Sequence, residues 1–409
     1  MSNHSYSEEL GATGLIQRSG SPEILSLLRD RRFWLGAGVW TLLLFILINP
    51  LVAALKNNLQ DNVGVGQGQL AEDPTKSTRP VRYDWSIGDR YEQFLRYVPD
   101  SRKTNLVVIS GMSQMYTIND YRPGDQTIAE WMDDSLAPKG TRVFGLAAPN
   151  MSHQESVFVL LSTLTKPETK PDVYIFAIAF GQLREIDVRK SYLDHLRKHP
   201  ELVAVWRSTA ERYRTKYPLA TAQMLITLDS LHQNDAVTNE DTFESRLRGQ
   251  VSRVVPVVRE RKTLSSGFRL GLFKVRNAIL GIKASTKRPI IRQRYDANRE
   301  FLALLADVGR ENGVKVLLYV VPFNPMRENP YVPDEYASFK QWLDVFAKEQ
   351  QIPLVNLENT VPSPDWGTFL GGPDFGHFRG AGHRKTAAAL LESFSTQLAP
   401  ASPMGDPKS

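Results

Sequence analysis

The chain has no cysteine among its 409 residues. That excludes disulfides, thiolate metal sites and cysteine nucleophiles together. It leaves the compartment open, because it says only that stability does not depend on redox conditions. Histidine is scarce, with seven copies, so any imidazole chemistry rests on few candidates. No internal repeat is visible, which argues against a solenoid or propeller. A strong charge excess is also missing. The formal net charge of +6 is modest for this length and is by itself a weak argument for anionic partners. What is present is globular. An apolar fraction of 42% and an aromatic fraction of 10% belong to a chain able to bury a substantial core, in one large domain or two ordinary ones.

Phe33 to Leu55 is a run of 23 residues without a charge. About 20 apolar residues cross the hydrocarbon core of a bilayer. Trp34 and Trp40 suit a membrane interface, and Asn49 and Pro50 interrupt the far end. Arg29, Arg31 and Arg32 crowd the N-terminal flank, whereas only Lys56 sits close on the other side. The positive-inside rule then predicts a cytoplasmic tail at 1–32 and a single membrane-spanning helix at 33–55. The bulk of the chain would lie outside the inner (cytoplasmic) membrane, periplasmic or extracellular. A buried soluble helix is one rival. A cleaved signal peptide is another: Val52-Ala53-Ala54 is a passable cleavage site, but the charged region before the apolar run is unusually long. Residues 56–99 read as a linker, polar and rich in Gln, Asn, Gly, Asp and Pro over 56–80. Residues 398–409 read as a disordered tail.

From about residue 100 the pattern changes. Asn105–Ser110, Arg142–Ala147, Asp172–Ala179, Val314–Val321 and the shorter Ile352–Leu357 are unbroken apolar runs. Such runs suit parallel strands covered on both faces. Helical stretches lie between and after them, at 127–136, 152–164, 296–312, 334–350 and 381–397. Alternation of this kind predicts a doubly wound α/β fold over 100–397, a three-layer, flavodoxin-like parallel sheet. Residues 185–295 break the alternation and read as a helical insertion. Within it, 246–294 carries fourteen Lys or Arg and one acid, Glu260. Segment 265–283 mixes Phe268, Leu272, Phe273, Ile279 and Ile282 with Arg269, Lys274 and Arg276. A basic amphipathic segment on a tethered protein suits lipid headgroups or a membrane partner. The bland alternative is a solvated helical face. No nucleic-acid motif is present, and none is expected outside the cytoplasm.

Three local features bear on chemistry. Ser110-Gly111-Met112-Ser113-Gln114 directly follows the first strand, and function in open α/β sheets gathers beyond the C-terminal strand ends. Gly111 permits a tight turn. Ser113 would then present its hydroxyl at the start of a helix, with its own N–H free to meet an oxyanion; as an N-cap it would have a purely structural role. The second feature is Gly372-Pro373-Asp374-Phe375-Gly376-His377, a glycine-rich loop between the last strand and the final helix. A carboxylate three residues before an imidazole can orient it as a general base. The third is the pair of strand ends at Asn150 and at Gly181-Gln182, whose side-chain amides could donate to an oxyanion. Asp374, His377 and His383 could also ligate a metal, but no third histidine or carboxylate cluster lies nearby, so no metal or cofactor is assigned. His153 reads more simply as a helix-start residue, and Asp133-Asp134 as a solvated face.

Together these features resemble the SGNH (GDSL-like) hydrolase superfamily over roughly 100–184 and 296–397. Ser113 matches the family's nucleophile, and Asp374-x-x-His377 matches its acid–histidine pair before the last helix. Gly382-His383 and the alanine-rich KTAAALL stretch look like the family's C-terminal region. The first block reads Gly111-Met112-Ser113 where the family has Gly-Asp-Ser, and Gly181 or Gln182 stands where it has Asn. The Gly-x-Ser-Gln start, the anchor and the late Pro322-Phe323-Asn324 resemble the DltD-like and polysaccharide O-acyltransferase branch. That resemblance implies a catalytic triad of Ser113, His377 and Asp374. The residues themselves offer oxyanion contacts from Ser113, Gln182 and Asn150, of which Gln182 and Asn150 depart from the family's pattern, and Gln114 and Asn324 are taken as substrate contacts. The resemblance further implies acyl transfer to a polysaccharide or acylated polymer beside a membrane-bound O-acyltransferase. A carbohydrate esterase with the same triad, and a non-catalytic assembly factor, are the alternatives.

Overall fold

The five apolar runs become five parallel strands: β1 (Asn105–Gly111), β2 (Thr141–Ala147), β3 (Val173–Ile178), β4 (Lys315–Val320) and β5 (Leu354–Asn356). They are seen in a computed structural model that describes residues 87–98, 105–122, 124–148, 150–186, 188–233, 286–369 and 372–399. The strand order is 2-1-3-4-5, the flavodoxin-like doubly wound order. Asn105 pairs with Thr141, Val107 with Val173, Val173 with Lys315 and Leu318 with Leu354.

Side chains alternate across a strand, and here the alternation has one parity throughout. The even residues Leu106, Val108, Phe144, Leu146, Tyr174, Phe176, Leu318 and Val320 join one core. The odd residues Val107, Ile109, Val143, Ile175, Leu317 and Tyr319 join the other. On the even side pack α1 (Ile87–Tyr97), α3 (His153–Thr163), α7 (Arg292–Glu311) and α8 (Pro333–Glu349). On the odd side pack α2 (Ile128–Leu136) and α9 (Gly380–Ser393). The helices start where their sequences say they should. Thr127 with Glu130, and Ser152 with Glu155, form complete capping boxes for α2 and α3, each satisfying two orphan donors of the first turn. Pro333 opens α8, where a missing N–H costs nothing.

The described part of the insertion is helical, as expected: α4 (Lys190–Lys198), α5 (Pro200–Arg212) and α6 (Pro218–Gln233). It shares the even-side core rather than forming its own. Trp206 is fully buried, packs 5.7 Å from Phe158 of α3 and donates its indole N–H to Met224 O. Glu155 of α3 accepts from Arg189 Nε at 2.7 Å, tying the insertion's entry to the sheet layer.

Three readings change. The far end of the expected linker is helix α1, because Tyr91 and Phe94 face the core and are buried against it. The tail begins one residue later than expected, since Leu398 ends α10 (Ser395–Leu398) and is buried. Asp133 is no solvated residue: it is fully buried, accepts from Val143 N–H at 2.7 Å and pairs with Arg142 at 3.0 Å. The expected cytoplasmic tail (1–32), membrane helix (33–55), linker residues 56–86, insertion residues 234–285 and tail residues 400–409 lie outside the described residues. Among the described residues no helix is long and apolar enough to cross a membrane.

Candidate active site

The site sits at the C-terminal edge of the sheet, where β1 hands over to a short turn. Gly111 ends β1, and the turn Ser113–Met115 follows. The glycine is required by close approach: a Cβ there would lie 2.5 Å from Ala177 Cβ on β3. Gly111 thus lets the end of β1 lie close against β3, and Ser113 opens the turn two residues on. As first residue of that turn, its N–H has no partner within the turn.

The sequence places Asp374 and His377 in a loop. The structure places them on a strand, β7 (Gly372–Phe378), paired antiparallel with β6 (Trp366–Phe369). Glycine-rich sequence hides this, since strands rarely read that way. The pairing holds the acid and the histidine on a defined backbone. Ser113 Oγ lies 2.8 Å from His377 Nε2. On the far side of the ring, His377 Nδ1 lies 3.2 Å from Asp374 Oδ2 and 3.3 Å from Oδ1. With a proton on Nδ1 facing the carboxylate, Nε2 is left to accept from the serine hydroxyl. The structure therefore brings the three predicted residues together in the order Ser–His–Asp.

Asp374 is buried. Burial alone would raise its pKa. Hydrogen bonds from His377, from Gly376 N–H at 2.9 Å and from Asn119 Nδ2 at 2.8 Å outweigh it, so the carboxyl is held below its ordinary value. Asn119 is not anticipated from the sequence. It also donates to Thr368 O on β6, so one amide fixes both the carboxylate and the hairpin. Its only sequence signal is a place six residues after Ser113, which without the fold means little.

The two residues assigned to substrate contact both brace backbone, and Gln114 also lines the cavity. Gln114 is buried and donates through Nε2 to Pro322 O and Gly376 O, both at 3.0 Å. It joins the serine turn to the exit of β4 and to β7. Its Oε1 is buried without a partner. Asn324, also buried, donates to Asp374 O at 2.6 Å and accepts from Met326 N–H. Both amides hold backbone, so their geometry is that of positioning residues.

The two oxyanion candidates separate in the same way. Gln182 accepts from Ala179 N–H at 2.6 Å and donates to Met151 O at 2.9 Å. That amide closes its own turn and is corrected to a structural role. Asn150 is exposed, holds a left-handed backbone (φ 47°) and lines the cavity above Ser113. Among the described residues its side chain has no hydrogen-bond partner, so it alone of the pair is available to a ligand. Gly181 N–H donates to Tyr331 Oη at 3.1 Å.

The two other histidines weighed from the sequence, His383 and His153, lie elsewhere. His383 is fully buried beneath Phe378 and hydrogen-bonds through Nε2 to Thr117 O at 3.0 Å. Burial pushes its pKa down to about 3. His153 is buried against Phe176 and hydrogen-bonds to Asn298 O, with its pKa pushed down by burial to about 4. Neither reaches the serine.

Ser113 opens into a cavity of about 700 Å³. Its walls include the aromatic rings of Phe323, Tyr331 and Phe375, with Phe323 and Phe375 5.6 Å apart. A space of this size takes a drug-sized molecule or a few sugar rings.

No family model and no curated protein matches the chain. Crystal structures do. A provisionally assigned acylhydrolase from Bacteroides fragilis shares 12% identity at a TM-score of 0.34, covering 78% of this chain and 100% of its own. A GDSL-like lipase from Bacteroides thetaiotaomicron shares 12% identity at a TM-score of 0.34, covering 76% of this chain and 98% of its own. Likeness of this degree says nothing of activity, which has to come from the site itself.

Proposed function

We propose that the protein is a membrane-anchored serine acyltransferase. It moves an acyl group, such as acetyl, through an acyl-Ser113 intermediate onto a hydroxyl of a cell-envelope or exported polysaccharide. The observation that carries this reading is the continuous path from Ser113 Oγ through His377 to Asp374.

Ser113 Oγ attacks the ester carbonyl carbon of the acyl donor as its proton passes to His377 Nε2. Asp374 stabilises the imidazolium. The Ser113 N–H and the Asn150 amide face the developing oxyanion. The tetrahedral adduct collapses, the bond to the leaving alkoxide breaks, and that oxygen takes the proton from His377. An acceptor hydroxyl then repeats the sequence in reverse on the acyl-serine. Gln114, Asn119 and Asn324 position the partners and do not touch the reacting atoms.

The finer parts of the reading rest on the sequence. The apolar run at 33–55 with its arginine flank supports an anchor in the inner membrane and an outward-facing site. The basic stretch 246–294 supports contact with membrane lipid or a membrane-bound O-acyltransferase. Hydrolysis is the second reading, because a cavity of this size admits water beside a sugar and water can resolve the same acyl-enzyme.

The test is acyl release from p-nitrophenyl acetate by the full chain, with and without an unacylated polysaccharide acceptor. Acetate appearing on the polymer identifies a transferase, and free acetate alone an esterase. If the wild-type chain gives neither signal, and Ser113→Ala and His377→Ala leave the in vivo modification intact, the chain is an assembly factor instead.

A further inference from the structure

The mouth of the cavity carries three arginines from three separate segments. Arg184 ends the turn after β3, Arg327 lies in the loop after β4, and Arg288 lies on the return from the basic insertion. None of the three forms an ion pair with a described carboxylate. By contrast, Arg142, Arg189, Arg197, Arg212, Arg310 and Arg379 each meet an acid. Two of the mouth arginines are held in place by backbone. Arg184 Nη1 donates to Pro289 O and Arg327 Nε to Pro373 O, both at 2.6 Å. Each of these bonds uses one donor of a five-donor fork.

The local acids do not neutralise this group. Glu328 pairs with Lys287 at 2.7 Å, and Glu185 is exposed. Asp374 also lines the cavity but is engaged with His377, so at the mouth four cations, Lys287 included, face Glu185 and Glu328. Arg288 and Arg184 also lie close enough to the floor of the cavity to act on Tyr331. Burial pushes that hydroxyl up to about 12, and the two guanidiniums pull the other way. Beneath the charges stand the rings of Phe323, Tyr331 and Phe375. Aromatic faces suit the apolar faces of sugar rings, and guanidinium forks suit planar carboxylates.

We infer that the cavity takes an acidic saccharide, one whose sugars carry carboxylates close to the acylated hydroxyl. This rests on the serine chemistry proposed above only for the ester; the recognition of the acid is independent of it. The carboxylates would meet Arg184, Arg288 and Arg327 while the ring lies against the aromatic wall. Arg288 itself belongs to the basic stretch of the sequence.

Binding tests the inference without turnover. Calorimetry on the full-length Ser113→Ala protein in detergent would compare an unacetylated oligogalacturonate with a neutral xylo-oligosaccharide of equal length. The acidic sugar should bind at least about tenfold more tightly, the worth of one or two charge-assisted contacts. The preference should fade at about 0.5 M salt, where the Debye length is roughly 4 Å. In Arg288→Ala/Arg327→Ala the preference should collapse, and Arg288→Lys/Arg327→Lys should restore part of it. Equal binding of the two sugars at low salt, or a preference that survives loss of both arginines, overturns the inference. A wild-type chain that binds the acidic sugar yet releases no acetate from p-nitrophenyl acetate or acetylated oligogalacturonate overturns the acyl chemistry and leaves this inference standing.

Discussion

At the scale of single residues the site is a chain of hydrogen bonds in which each member constrains the next. Asp374 fixes the ring of His377, and Asn119 fixes Asp374. Asp374→Asn should therefore keep the fold and lose roughly 10⁴-fold in acyl transfer, because the wrong tautomer faces the serine. Asn119→Ala leaves a buried carboxylate oxygen short of a donor, at a cost of about 1–3 kcal/mol. Its activity should fall through kcat with KM little changed, which steady-state kinetics would separate. A fall confined to KM would place Asn119 in substrate binding instead. The carboxyl also carries a pH signature. Its folded pKa lies below the ordinary value, so its stabilisation is complete above that value and is lost as pH falls through the folded one. Asp374→Asn should remove that part of the acid slope in thermal melts.

Single residues are legible in the sequence where chemistry demands a rare combination. Asp374 and His377 stand out because an acid three residues before a histidine, ahead of a final helix, can orient a base; Ser113 is weak by its own local sequence and stands out only beside that pair and the resemblance it completes. The amides do not stand out. Asn119, Gln114, Gln182 and Asn324 are alike on paper, and only their partners, most of them far away in sequence, tell a brace from a contact. Asn150 differs from them in having no side-chain partner among the described residues.

At the scale of elements, the sheet is legible and the hairpin is not. β1 to β4 announce themselves as unbroken β-branched and aromatic runs, because both faces are covered. β6 is short, the pair contains Gly367, Gly372 and Gly376, and both strands lie apart from the main sheet, so no local signal marks them. Helix α1 is hidden because its charged face dominates its composition, while Tyr91 and Phe94 turn inward. The junction between β1 and the serine turn is the element most exposed to steric test. Gly111→Ala places a methyl 2.5 Å from Ala177 Cβ, an overpacking that costs about 1–3 kcal/mol. The variant should melt earlier and lose more activity than its stability loss explains, since relief requires Ser113 to move from His377. Restored activity in Gly111→Ala/Ala177→Gly would support this account, and full activity in the single variant would contradict it.

At the scale of the whole molecule, the histidines outside the site set a second pH response. His153, His195 and His383 are buried, and burial pushes their pKa values down to about 4, about 4 and about 3. The unfolded chain binds protons at these positions below about 6.5, and the folded chain does not until far lower. Stability should therefore decline as pH falls from about 6.5 toward 4. Melting temperatures recorded across that range test this, and a flat profile would contradict it. The partners of the whole molecule are least legible. The charge asymmetry in 246–294 is plain in the sequence, but the sequence does not say that Arg288 lies at the cavity mouth beside Arg184 and Arg327. That convergence is a property of the fold.

The central claim is that Ser113 is a nucleophile made reactive by His377. The most direct measurement is peptide mass spectrometry after brief treatment of the full-length protein with a fluorophosphonate. The predicted result is one adduct on the peptide containing Ser113, absent in Ser113→Ala and strongly reduced in His377→Ala. An unlabelled Ser113 in the folded protein, or equal labelling after loss of His377, would contradict the account.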